Sequence, residues 1–167
     1  MAKMTARGLS WLAALEGGLR LKAYQDNKDV WTVGAGMTFW PDTGLPVKEG
    51  DVIYSEEFAF KFFSEMVEKF ENGVSEVIEK NGVTIRPGIR PAGNVIDALI
   101  SFAYNVGIGE RDSFRTSTAA KWFNLGYPLT RVAEAMSWWK NPNLKERRAC
   151  EKDCMLLSIY RTQRGVA

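Results

Sequence analysis

Apolar residues recur first at spacings of three. Leu9, Leu12 and Leu15, with Trp11 beside them, predict a short helix that stops at the Gly17-Gly18 pair. From Leu19 to Gly50 the texture changes: Tyr24, Val30, Trp31, Val33, Phe39 and Trp40 are β-type residues broken by Asp-Asn, Gly and Pro signals. This predicts a small twisted sheet of short strands, with Pro41-Asp42-Thr43-Gly44 as a turn. At Ser55 the period becomes helical. Ser55 is placed to cap, Glu56 and Glu57 suit the first turn, and the apolar stripe runs Phe58, Phe62, Met66 or Val67, Phe70, Val74, and Val77 or Ile78. The expected helix spans about 55–80 and ends at Asn81-Gly82. After a loop containing Pro87, Gly88, Pro91 and Gly93, the pattern predicts helices near 92–106, 115–125, 129–139 and 143–161. There is no internal repeat and no low-complexity segment. The expected architecture is α+β in a single domain: a small sheet lobe with the N-terminal helix (about 9–54), a bridging helix, and a larger helical lobe (about 83–167).

Composition narrows the chemistry more than the fold. The chain has 167 residues, 46% apolar and 25% charged, with a formal charge of +2, as expected of an ordinary domain with a sizeable core. The near-balanced charge and the lack of a recognised motif speak against a nucleic-acid partner. Histidine is absent, which removes Ser-His-Asp and Cys-His pairs, imidazole bases and His-ligated zinc. Cys150 and Cys154 lie four apart on an expected helix, a poor geometry for a disulfide and too few ligands for a structural zinc. They are expected as reduced, partly buried thiols, and no metal or cofactor is expected. The apolar run Leu9 to Leu15 is too short for a membrane span or a signal core. Cytoplasmic synthesis without membrane insertion is therefore expected, and a target outside the membrane would require separate release.

Without histidine, catalysis at neutral pH rests largely on carboxylates, and Glu16 and Asp26 stand ten residues apart with Thr32 following. Glycoside cleavage uses such a pair: one carboxyl delivers a proton to the leaving oxygen, and the other stays ionised to orient water or attack the sugar carbon. Glu16 ends an apolar helix, a setting that favours the protonated role, whereas Asp26 sits in the polar turn Asp26-Asn27-Lys28-Asp29. Spacing alone leaves plainer readings open. A Glu at a helix end is often simply solvated, and an Asp in such a turn often closes an Asx-turn.

The run Glu16-Gly17…Leu21-Lys22-Ala23-Tyr24-Gln25-Asp26…Trp31-Thr32-Val33-Gly34-Ala35-Gly36 resembles the active-site segment of phage lysozymes of the T-even and lambdoid endolysin type, glycoside hydrolase family 24. That pattern reads roughly E-G-x-x-L-x-A-Y-x-D, then T-(I/V)-G-x-G-H. The likeness continues through Asp97-Ala98-Leu99-Ile100-Ser101-Phe102-Ala103-Tyr104-Asn105-Val106-Gly107, Phe114, Ser117-Thr118, Trp138 and Arg147-Arg148…Glu151. It implies a lysozyme-like fold with a cleft between the lobes.

Carried over by position, the resemblance makes Glu16 the general acid, with Asp26 and Thr32 holding the attacking water as in inverting members. Thr38, Tyr104, Asn105 and Ser117 match positions lining the saccharide cleft, and Arg147 or Arg148 matches a basic residue beside the catalytic Glu. Tyr104 reads equally as core, and Asn105 as a helix cap. Two departures stand out: Met37 replaces the usual His, and Gly17-Gly18 lengthens the Glu-to-Asp interval by one residue, which bears on inverting against retaining outcome. The implied activity is that of an endolysin muramidase cutting the β-1,4 bond between N-acetylmuramic acid and N-acetylglucosamine of peptidoglycan. It would act as a monomer, made in the host cytoplasm and released by a separate membrane-pore protein. A lytic transglycosylase and an inactive peptidoglycan-binding relative are the alternatives; the Asp26/Thr32 pair argues against the first, and Glu16, Asp26 and Thr32 together against the second. Lys145, Arg147, Arg148, Lys152, Arg161 and Arg164 could favour an anionic wall or form a solvated face, and Trp122, Trp138 and Trp139 read as core.

Overall fold

The computed structural model describes residues 1–26, 28–80, 83–87, 91–139, 144–162 and 165–166. In chain order these form α1 (Ala6–Leu15), β1 (Arg20–Gln25), β2 (Trp31–Gly34), α2 (Glu56–Ile78), β3 (Glu79–Lys80), β4 (Val83–Thr84) and α3 (Gly93–Val106). A 3-10 turn (Phe114–Thr116), α4 (Thr118–Asn124), α5 (Leu129–Ser137), α6 (Lys145–Leu157), β5 (Arg161–Thr162) and β6 (Gly165–Val166) follow. The α+β class is the one expected. The chain divides into two compact units, residues 12–68 and residues 1–11 with 69–167. Helices α1 and α2 each contribute residues to both.

In the unit of residues 12–68, β1 and β2 are antiparallel, pairing Arg20 with Gly34 and Tyr24 with Thr32. Four steps along β1 answer two along β2, so the middle of β1 leaves its partner. There it turns to the 51–53 segment instead: Ala23 N–H donates to the Asp51 carbonyl at 2.9 Å, and Ile53 N–H to the Leu21 carbonyl at 2.7 Å. Phe39 makes an isolated bridge to Pro46 rather than entering a strand. The core of this unit is Val33, Met37, Val47, Ile53 and Ala59. Burying each of the larger side chains contributes roughly 1.5–3 kcal/mol. Met37, which replaces the usual His of the resembled pattern, lies within this core, 1% exposed. Its methyl carbon would stand 2.6 Å from a Cβ at Gly34, whose φ is +62°. Glycine there supplies both the left-handed backbone and the space for Met37.

Helix α2 begins as expected: the Ser55 hydroxyl accepts the Phe58 N–H at 3.2 Å. Its buried stripe is displaced by one residue only at the start, and Val67, Val74 and Ile78 are buried as the sequence pattern expects. Ala59, Phe63 and Val67 are buried, whereas Phe58 is 52% exposed and Phe62 half-buried. Successive phenylalanines made either stripe plausible, and packing chose the one containing small Ala59. Beyond Ile78 the backbone forms the β3–β4 pair, Glu79 opposite Thr84 and Lys80 opposite Val83. The predicted stop at Asn81-Gly82 lies outside the described residues.

The larger unit buries Leu99, Ile100, Phe102, Phe114, Phe123, Val132, Met136 and Met155. Phe102 meets Phe114 and Trp139 edge-on, at 6.3 and 5.9 Å between centroids. Trp138 departs from the core reading at 47% exposed, and Trp122 stacks on exposed Tyr127. The expected helix over 115–125 is interrupted at Ser117. The helix expected to 161 stops at Leu157, because Ser158 takes a left-handed φ of 56° as its cap.

A buried carboxylate ties the start of α1 to α3. Asp97 accepts the Thr5 N–H at 2.7 Å, the Thr5 hydroxyl at 2.6 Å and the Tyr160 hydroxyl at 2.6 Å. Thr5 also caps α1, its hydroxyl accepting the Gly8 N–H at 2.9 Å. A Cβ at Gly8 would collide with the Asp97 carboxyl group. Burial raises the Asp97 pKa above its ordinary 3.8, against the pull of the Thr5 and Tyr160 hydrogen bonds. Trp11 meets Tyr160 edge-on at 5.5 Å and donates its indole N–H to the Arg161 carbonyl at 2.8 Å. Both cysteines are free and buried. Burial, then the Asp97 charge, pushes the Cys154 thiol up to about 12.

Candidate active site

Glu16 sits at the C-terminal cap of α1. Its N–H still reaches the Leu12 carbonyl at 3.1 Å, and then the helix closes by two further bonds, Gly17 N–H to Ala14 at 3.2 Å and Gly18 N–H to Ala13 at 2.9 Å. This is the Schellman arrangement, and it needs a left-handed residue after the cap, which Gly17 supplies at φ +96°. Gly18 is also left-handed, at +88°. The extra glycine is thus absorbed between α1 and β1, leaving the Glu16 side chain half-buried.

Asp26 closes the β1–β2 hairpin. Its Oδ1 accepts the Lys28 N–H at 2.8 Å and the Val30 N–H at 2.9 Å, and its own N–H reaches the Val30 carbonyl at 3.0 Å. The Asx-turn reading is therefore realised, and it serves the chemistry. The Val30 and then the Lys28 amide stabilise the ionised carboxylate, holding its pKa below the ordinary 3.8. Thr32 is 2% exposed on β2 and donates its hydroxyl to the Val30 carbonyl at 3.0 Å. That leaves its oxygen lone pairs as acceptors.

Sequence reasoning gave Tyr24 no role, and the structure places it on β1 opposite Thr32. Its ring lies under Arg20 at 4.2 Å. Burial raises the phenol's pKa above 10.0; Arg20 opposes this, and the negative charges of Asp26 and Glu16 add to it. Thr38 is half-buried, and its carbonyl accepts the Val47 N–H at 2.9 Å.

The larger unit carries the other candidates. Tyr104 is half-buried, its ring 4.8 Å from that of Phe70. Asn105 does not cap α3; Gly107 does, with φ 85°. Instead the Asn105 Oδ1 accepts Arg148 Nη2, while Arg148 Nη1 binds Glu151 Oε2. Arg147 points elsewhere, its Nε to Glu151 Oε1 at 3.2 Å and Nη2 to the Ser101 carbonyl at 3.2 Å. The Ser101 hydroxyl also donates to Glu151 at 2.9 Å. Of the two arginines, Arg148 engages a candidate sugar-binding residue. Its guanidinium lies 4.8 Å over Phe102, and its Nε is buried with no hydrogen-bond partner among the described residues. Burial lowers the Arg148 pKa, against the raising effect of the Glu151 charge. Arg147 and Arg148 thus form no basic face for an anionic wall. Arg161 is paired with Asp153 and Glu146, and Arg164 lies outside the described residues. Ser117 is buried as the N-cap of α4, accepting the Ala120 N–H at 3.1 Å and donating to the Phe114 carbonyl at 2.8 Å.

Glu151 and Ser101 were missed as partners. The spacing Arg147, Arg148, Glu151 was a legible signal, because residues three and four apart share a helix face. Among the described residues, no three acidic or sulfur side chains converge as a metal site, and no helix is long and apolar enough to cross a membrane.

Known proteins align with the chain along nearly its whole length. Residues 14–151 match the phage lysozyme family. An endolysin of Acyrthosiphon pisum secondary endosymbiont phage 1 is 32% identical over 158 residues, covering 89% of this chain and 94% of that protein. The endolysin of Bacillus phage PZA is 29% identical over 157 residues, and the chain spans 54% of its length. The solved endolysin from Escherichia coli O157:H7 phage FAHEc1 superposes with a TM-score of 0.80 at 32% identity, covering 96% of this chain and 97% of that one. Its fold is therefore lysozyme-like, and the chain belongs to the phage lysozyme family.

Proposed function

We propose that the protein is an endolysin muramidase that hydrolyses the β-1,4 bond between N-acetylmuramic acid and N-acetylglucosamine in peptidoglycan. The observation that carries this reading is the Asp26 carboxylate held ionised by two amides, in the same unit as Glu16 at the glycine-closed end of α1. Glu16 gives its proton to the glycosidic oxygen as the C–O bond breaks. A water on the opposite ring face donates one hydrogen to Asp26 and one to Thr32, whose own proton is spent on Val30. Its oxygen bonds to the anomeric carbon, its proton passes to Asp26, and the product anomer is inverted. Thr38, and separately Tyr104 and Asn105, are proposed sugar contacts. Arg148 is a positioning residue for the Asn105 amide, and Ser117 contributes by fixing the start of α4. The proposed setting is synthesis in the host cytoplasm, release through a separate pore protein and action as a monomer on the wall.

Clearing of outer-membrane-permeabilised Gram-negative cells by the parent and by Glu16→Gln tests this directly. New reducing ends, lost by a factor of about 10² or more in the variant, are expected. Anhydro-sugar ends would make the enzyme a transglycosylase. No cleavage by the parent would leave a binding protein on this fold.

A further inference from the structure

At the start of α2, Phe58 faces solvent beside a concavity. Within the unit of residues 12–68, a cavity of about 750 Å³ is walled by Trp40, Tyr54, Phe58, Phe62, Asp42 and Asp51. That volume falls in the range of small-ligand sites. Tyr54 is 94% exposed, Leu45 60% and Phe58 52%, an apolar exposure of the kind that marks interaction surfaces. Two contacts of Trp40 brace the walls. Trp40 meets Phe62 edge-on at 5.8 Å, and its indole N–H donates to Asp51 at 3.0 Å. Asp51 also accepts the Lys48 N–H at 2.9 Å. None of these residues is used by the proposed reaction.

We propose that this groove is a second carbohydrate-binding site, taking a neutral β-linked N-acetylhexosamine segment of the same polymer and holding the enzyme on its substrate. Three observations select a sugar. Aromatic rings match the apolar C–H faces of a pyranose, and the rim oxygens of Asp42 and Thr43 are acceptors for its hydroxyls. Between residues 42 and 57 stand five carboxylates (Asp42, Glu49, Asp51, Glu56 and Glu57) against the single Lys48. That field repels anionic lipid headgroups and the carboxylates of wall peptides, leaving the uncharged glycan backbone as the fitting part of the wall. A polymeric substrate also gains avidity from a second site on one enzyme without any new contact at the first. The inference rests on the proposed muramidase reading, and its failure is separable from a failure of that reading.

The full chain with Glu16→Gln, which leaves a ligand uncut, would be titrated with a β-1,4-linked N-acetylglucosamine tetramer while the Trp40 indole N–H is followed by NMR. A saturable shift of that resonance is expected, weakened roughly fivefold by Tyr54→Ala, an exposed position where truncation spares the core. With Glu16 intact, Tyr54→Ala should reduce co-sedimentation with insoluble sacculi while leaving cleavage of soluble glycan fragments at the parent rate. Cleavage with an unmoved Trp40 resonance would overturn the groove and spare the muramidase. A Trp40 shift on dilution without sugar would assign the groove to a second copy of the chain. A shift only with a lysine-rich peptide would assign it to a cationic segment. Either result overturns the proposal.

Discussion

The Asp26 turn and the Glu151 cluster both surround a carboxylate with donors, by opposite means. Asp26 takes two amides from residues two and four positions ahead, at the surface. Glu151 is fully buried and takes two guanidiniums from its own helix together with the hydroxyl of Ser101, 50 residues away in sequence. Neutral amides favour the anion while leaving it in contact with water, which a water-activating group needs. Charged partners stabilise an anion that never meets solvent, which suits support. The first arrangement is made by a turn and can be altered without disturbing packing. The second is part of the packing.

The comparison is broken most readily at Glu151. Glu151→Gln keeps the shape but leaves two buried guanidiniums without their counter-charge, so a loss of about 3–5 kcal/mol in denaturant unfolding is expected. A loss below about 1 kcal/mol would mean that water or another acid compensates the arginines. Asn105 should feel the change as well, since Arg148 spans Glu151 and Asn105.

Asp97 sharpens the contrast at a smaller magnitude. Its pKa is raised on folding, so between the ordinary 3.8 and the raised value the native state holds its proton more tightly than the unfolded chain. Its contribution is therefore fully present below that window and declines as pH rises through it. Asp97→Asn should remove this decline and cost roughly 1–3 kcal/mol, because the two hydroxyls that donate to Oδ2 must turn. Unfolding midpoints measured across pH 3 to 7 would reveal it; an unchanged slope would show that Asp97 does not titrate on folding.

Local chemistry was legible in the sequence, and long-range chemistry was not. The Gly17 stop, the Ser55 cap and the Asp26 turn each depend on residues within a few positions, so residue type and spacing announced them. Only the start of the stripe on α2 was misplaced, because Phe58, Phe62 and Phe63 satisfy two neighbouring helical faces, and burial of Ala59 against Val33, Met37 and Ile53 is a tertiary choice that no local spacing announces. The partners of Asp97, Thr5 and Tyr160, lie 92 and 63 residues away, and no pattern along the chain couples them. The resemblance nominated Arg147 or Arg148. Their separation into a Ser101-facing and an Asn105-facing side chain is a consequence of how α6 packs on α3.

Asp26→Asn should have the smallest effect on stability. An amide keeps one carbonyl oxygen to accept the Lys28 and Val30 N–H groups, so the hairpin persists and the unfolding midpoint should match that of the parent. Cleavage should nonetheless fall about 10²–10⁴-fold, because an amide does not take the proton of the attacking water. Since the amides hold Asp26 ionised down to below the ordinary carboxylate value, the acid limb of kcat/KM in the parent should show no Asp26 titration above about pH 4. Activity retained in the variant would make the turn purely structural and move the water to other groups. Lost activity with an unchanged midpoint would establish that accessible, amide-held carboxylates carry the reaction, while buried, charge-held ones carry the fold.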